Sequence, residues 1–179
     1  MQMIISFRSL SKLKKFGLLG MIMNLHDFLE QHQLKLQPAT KDEIEQLYRI
    51  VLRDLRDARV PALSADRKFT SVYGAALQLA TIVLRAKGYR TNPSQPGHHK
   101  ICIQAIPLIM GEELQPFVKH LNMCRLKRHV CEYTAVDEAT ESDVSELTKR
   151  AEIFHGQVLN WLKTHHPQLV PKVLAQARV

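Results

Sequence analysis

The sequence predicts an all-α fold, an up-and-down bundle of four to five antiparallel helices. Three observations point there. Apolar residues recur at helical spacing in successive stretches. No stretch alternates apolar and polar residues as a half-buried strand does. Gly, Pro and Asn punctuate the chain where those stretches end. With 179 residues, 45% of them apolar and 23% charged, the chain is long enough to bury one real core.

Residues 1–22 are read apart, as a disordered arm or an over-extended start, since Met21 or Met23 would also serve as a beginning. The arm carries Arg8, Lys12, Lys14 and Lys15 ahead of the apolar run 16–23, a faint imitation of a signal peptide with no small-residue cleavage site. Residues 23–39 hold a short helix, 24–33, and a linker. The bundle proper spans 40–164. Thr40-Lys-Asp-Glu43 is a capping-box sequence with Glu43 expected to reach back to Thr40. The helix it opens buries Ile44, Leu47, Tyr48, Val51, Leu52 and Leu55 and ends by Pro61. The next, 65–87, is apolar on more than one face through Phe69, Val72, Tyr73, Ala76, Leu77, Ala80, Val83 and Leu84. That pattern makes it the central helix, with Gly88 as its stop.

A loop over 89–99 leads to a third bundle helix, about 98–109, which Pro107 should kink or shorten. Gly111 separates it from a fourth, about 112–133, in which Pro116 is tolerable only in the first turn. After an acidic loop, Thr140-Glu-Ser-Asp143 caps a fifth helix, about 141–164. Residues 165–179 form a tail with Pro167 and Pro171.

The net charge is +8, but four of the 25 basic residues lie in the arm with no acid beside them. The rest sets 21 bases against 17 acids, a weak electrostatic footprint of +4. Three cysteines, an odd number without C-x-x-C spacing, argue against a disulfide framework and suit a reducing cytoplasm. No run of apolar residues reaches the length of a membrane span, so no membrane partner is expected. There is no Gly-rich phosphate loop, no G-x-S-x-G and no H-E-x-x-H.

Chemistry concentrates at residues 124–133. Arg125, Arg128, His129 and Tyr133 are spaced three and four apart, so a helix gathers two guanidinium groups, an imidazole and a phenol along one side. His129 suits proton transfer near neutral pH, and Arg125 and Arg128 suit a phosphate. The same residues also suit a plain solvated face. One helix supplies one such histidine, and a twofold dimer would supply two. Gly97-His98-His99-Lys100 opens a helix, where free N–H groups attract anions and His98 and His99 would help hold one. His120 and Cys124 stand four apart, but no second pair has zinc spacing, so neither a metal nor another cofactor is expected.

These residues bring a family into view. Arg125-Leu-Lys-Arg128-His129-Val-Cys-Glu-Tyr133 resembles the Arg-x-x-Arg-Asn-x-x-x-Tyr helix of one branch of the HEPN superfamily, small prokaryotic helical bundles. Tyr73-Gly-Ala-Ala-Leu, Leu84-Arg-Ala-Lys-Gly-Tyr89-Arg90, Gly97-His98-His99 and the helix with Ala151 and Phe154 fall in the matching order across about residues 40–163. The resemblance implies a bundle that forms a symmetric dimer. It also implies one of two roles. Some members are metal-independent RNases of toxin–antitoxin, abortive-infection or CRISPR systems. Others are non-catalytic partners of nucleotidyltransferases. RNase members carry Arg-x(4–6)-His with a polar residue after the Arg. Here three residues separate Arg125 from His129, Leu126 follows the Arg, and His129 stands where the branch has Asn. The expectation is therefore a dimeric, non-catalytic, cytoplasmic module that binds RNA, a nucleotide or a protein partner such as a nucleotidyltransferase or antitoxin. The alternative is an endoribonuclease toxin with His129 as acid and base and Arg125 and Arg128 as phosphate clamps.

Overall fold

The computed structural model describes residues 24–173, so the expectations for the 1–22 arm and the end of the tail lie outside it. Apart from one small two-stranded sheet, the regular elements of the described chain are all helices. In order it runs α1 (Leu25–Glu30), β1 (Leu34–Leu36), α2 (Lys41–Asp57), α3 (Ala65–Ala86), β2 (Tyr89–Thr91), α4 (His98–Met110), a 3-10 turn (Glu112–Leu114), α5 (Gln115–Tyr133), α6 (Glu141–His165) and a second 3-10 turn (Pro167–Leu169).

The helix ends follow local chemistry. Asn24 accepts from the Asp27 N–H while Asp27 returns a bond to the Asn24 N–H. Thr140 and Asp143 make the same reciprocal pair at α6, where Asp143 also binds Lys127 at 2.8 Å. Lys127 first, then Thr140, hold the Asp143 carboxyl down at about 2. At α2 the Thr40 hydroxyl accepts from the Glu43 N–H at 3.2 Å, yet Glu43 does not reach back. Its carboxylate crosses to α3 and binds Arg85 at 2.5 and 3.0 Å. A buried guanidinium outcompetes an exposed backbone N–H for that carboxylate. Pro107 sits inside α4, which continues to Met110, and Pro116 occupies the first turn of α5.

Helix α3 is the centre. Phe69, Val72, Tyr73, Ala75, Ala76, Leu79, Ala80 and Val83 are all buried, and α2, α4, α5 and α6 each pack against it. By length and composition α3 would cross a membrane, but 72% of its most apolar window is buried inside the protein. That is the signature of a helix enclosed by others. Gly74 faces α2, where a Cβ would lie 2.9 Å from the Asp54 carboxylate.

The sheet corrects the sequence reading, which placed only loop at 34–36 and 89–91. The strands pair antiparallel with Leu34 opposite Thr91 and Leu36 opposite Tyr89. Outside the pairs, Asn92 N–H donates to the Gln33 carbonyl and Gln37 N–H to the Gly88 carbonyl. Gly88, at φ +93, makes the sharp exit from α3 that turns the chain back into β2. This clip sets Arg90 and Thr91 beside the start of α4.

Candidate functional site

Helix α5 carries most of the candidate residues, and its buried stripe decides which way each points. Phe117 packs on Phe154 of α6 with ring centres 4.5 Å apart, and Val118, Leu121 and Cys124 are buried. Arg128 follows Cys124 by four and so continues that stripe. Its guanidinium lies 5.8 Å from the centre of the Tyr73 ring and pairs with Glu132 at 2.6 Å. Arg125 is half-buried and donates from Nε to Asn122 Oδ1 at 3.0 Å. His129 and Tyr133 face outward with ring centres 5.1 Å apart, and Tyr133 is 71% exposed. At about 100° per residue, Arg128 and Tyr133 stand about 140° apart around the helix. The motif is thus divided between an inward Arg128 and an outward His129 and Tyr133.

The start of α4 approaches the same place from the other side. Gly97, at φ +80, has no side chain to cap the helix, so its first N–H groups find no side-chain acceptor. The His98 and His99 rings meet edge to face at 4.5 Å, and His99 lies 6.4 Å from the Tyr73 ring. Burial, reinforced by His98, Arg128 and Arg125, pushes the His99 pKa down to about 4. His99 is therefore neutral at pH 7. Tyr73 is 1% exposed and its hydroxyl has no hydrogen-bond partner. Burial raises this phenol to about 12, against the pull of Arg128 and Arg125.

Tyr73, which the sequence places in the core and in a family-like motif, has no site role in that reading. It is the hub around which His99, Arg125 and Arg128 gather. The available signal was a hydroxyl carried on the apolar stripe of the central helix.

Two clefts flank this cluster. One, of about 320 Å³, opens at His98 and His99 and reaches Arg85 and Arg90. The other, of about 530 Å³, is bordered by Arg67, Arg128, Glu132 and Tyr133. At its edge the Asp66 carboxylate accepts from the N–H groups of Asp137 and Ala139, each at 2.7 Å. The Ala139 bond, more than any other contact, holds that carboxyl below the usual range. Burial first, then Asp66, drives the nearby Cys131 thiol up to about 11, so it stays protonated and unreactive at neutral pH.

Among the described residues no group of three or more His, Cys, Asp or Glu side chains is placed to hold a metal ion. His120 and Cys124 contact each other at 3.4 Å.

No family model, no curated protein and no solved structure matches this chain.

Proposed function

We propose that this chain is a HEPN-like, non-catalytic helical module that pairs with a second copy across the outer side of α5 and binds RNA or a nucleotide there. The observation that supports this is the stripe opposite the core. Met123, Leu126 and Tyr133 are 61%, 55% and 71% exposed, on a helix whose other side packs against α3 and α4. Large apolar side chains left in a line on a packed helix favour a partner. A twofold axis beside α5 would set two such stripes together. Arg125 and His129 of both copies would then border one groove, with guanidinium groups suited to phosphates. A nucleotidyltransferase or antitoxin encoded alongside, in a toxin–antitoxin or defence system, belongs to the same reading.

The test is mass in solution by light scattering, together with binding of a single-stranded RNA oligomer. Wild type should be a dimer and Leu126→Lys a monomer. Arg125→Ala should stay dimeric and bind RNA more weakly. A wild-type protein that is monomeric at all concentrations and ignores RNA overturns the proposal.

A second reading is a metal-independent endoribonuclease with His129 as acid and base. The exposure of His129, one turn after Arg125, favours it. Arg128 weighs against it, because Glu132 and Tyr73 already engage that guanidinium. RNA cleavage in EDTA by wild type but not by His129→Ala, leaving 2′,3′-cyclic phosphate ends, would decide for it.

A further inference from the structure

The 320 Å³ cleft between α3, β2 and the start of α4 collects polar groups whose hydrogen-bonding atoms are unspent. The Arg90 guanidinium, the Gln78 amide and the imidazoles of His98 and His99 line it. None of these four side chains makes a hydrogen bond or ion pair with the described residues. Arg85 lines the cleft too, but it is fully occupied by Glu43 and by the carbonyls of Gln37 and Tyr89. Glu43 also lines the cleft and feels the charges of both Arg85 and Arg90, so two guanidinium groups face one carboxylate there and the balance is positive. Leu77 and Leu84 supply an apolar wall.

We propose that this cleft binds a small phosphomonoester of the nucleoside monophosphate class, with Arg90 and the start of α4 on the phosphate and the His98–His99 pair against the ring system. Three features favour that chemistry. The cleft has one unspent guanidinium, two imidazoles able to donate and the uncapped N–H groups after Gly97, more donors than a carboxylate can use. Its volume falls near the lower limit, roughly 300 Å³, of small-molecule pockets, which suits a mononucleotide and excludes a folded RNA. The perpendicular imidazole pair offers a ring face to a planar base. A phosphate dianion arriving beside neutral His99 favours its protonation. It does so against His98, Arg125 and Arg128 and with the help of Glu132, the groups that face this ring. Binding should therefore take up a proton and tighten as pH falls from 7 to 6.

The site shares no residue with the outer stripe of α5, so it stands or falls separately. The experiment is calorimetric titration of the full chain with adenosine monophosphate, adenosine, inorganic phosphate and a short oligoribonucleotide without terminal phosphate. The monophosphate should bind at least about tenfold more tightly than adenosine, a difference of about 1.4 kcal/mol. Arg90→Ala and His98→Ala, both at exposed positions, should each weaken it severalfold, with Arg90→Lys recovering part of the loss. Arg125→Ala, which removes one of the charges opposing His99 protonation, should not weaken it. Inorganic phosphate that displaces the monophosphate supports the phosphate subsite, and an oligomer that fails to displace it supports the size limit. Equal affinity for adenosine and its monophosphate, or undiminished binding by Arg90→Ala, overturns the assignment. Loss of monophosphate binding on Arg125→Ala, with Arg90→Ala normal, overturns it too while leaving the α5 proposal standing.

Discussion

Arg128 of α5 rests its guanidinium over the ring of Tyr73 of α3, 5.8 Å from its centre, while the hydroxyl of that same tyrosine goes unbonded. The ring therefore does the joining, and the hydroxyl contributes nothing to it. An unsatisfied buried hydroxyl costs about 1–3 kcal/mol. Tyr73→Phe keeps the ring and removes that cost, so it should leave stability unchanged or raise it by about 1 kcal/mol. Tyr73→Ala should lose about 3–5 kcal/mol through the cavity it leaves. Urea denaturation of both variants checks this, and a Phe variant clearly less stable than wild type would show that the hydroxyl has a partner in solution.

Arg85 is 3% exposed, and Glu43 answers its charge. Removing the carboxylate strands a buried cation, so Glu43→Ala should cost about 2–3 kcal/mol at neutral pH. The hydrogen bond from Arg85 is the main reason the Glu43 pKa lies below the ordinary value. Its contribution is thus full above the unfolded carboxylate range and is lost as pH falls through the lowered folded value. The gap between wild type and Glu43→Ala should therefore narrow at acid pH. A gap that stays constant to the lowest pH measured would separate the effect from the charge.

His99 is neutral in the fold down to about pH 4, where an unfolded histidine titrates near 6.5. Burial displaces His120 and His155 in the same direction, and His155 is bonded to the Tyr48 hydroxyl at 2.6 Å. Each depressed histidine contributes stability that is complete above about pH 6.5 and declines as pH falls toward its folded value. Melting temperature should accordingly drop between pH 6.5 and 4, and His99→Gln should flatten that slope. Ring-proton NMR gives the direct check, since a His99 titrating near 6.5 would contradict the burial seen here.

Gly111 takes φ +133 between α4 and the 3-10 turn, a region that L side chains rarely enter. Gly111→Ala should destabilise by about 1–3 kcal/mol, with an added Cβ pressing on the Glu113 carboxylate. An unchanged urea slope with a lowered midpoint is the expected pattern.

The helices were legible because their signals are local. Thr40, Thr140 and the apolar spacing of α2, α3 and α6 lie within a few residues of what they control. The strands were not, because Leu34-Lys35-Leu36 and Tyr89-Arg90-Thr91 are too short to show an alternation, and only their pairing makes them strands. Glu43 was misread because the competing partner, Arg85, lies 42 positions away in sequence. The residues around 125–133 and 98–99 could be picked out by type and spacing. That Arg128 turns inward onto Tyr73 while His129 turns outward follows from which neighbours α5 meets. The place of Arg128 in register with Leu121 and Cys124 was the one local hint.

The central position of α3 also orders the protein's birth. A ribosome releases α2 and α3 before α4, α5 and α6, and their hairpin closes over a short link. The faces of α3 that receive α5 and α6 stay bare until the last third of the chain has emerged. A chain halted after α4 should consequently bind a hydrophobic dye such as anilinonaphthalene sulfonate, which the finished protein would shed. Synthesis of this fold thus includes an interval in which its longest apolar surface lies partly uncovered.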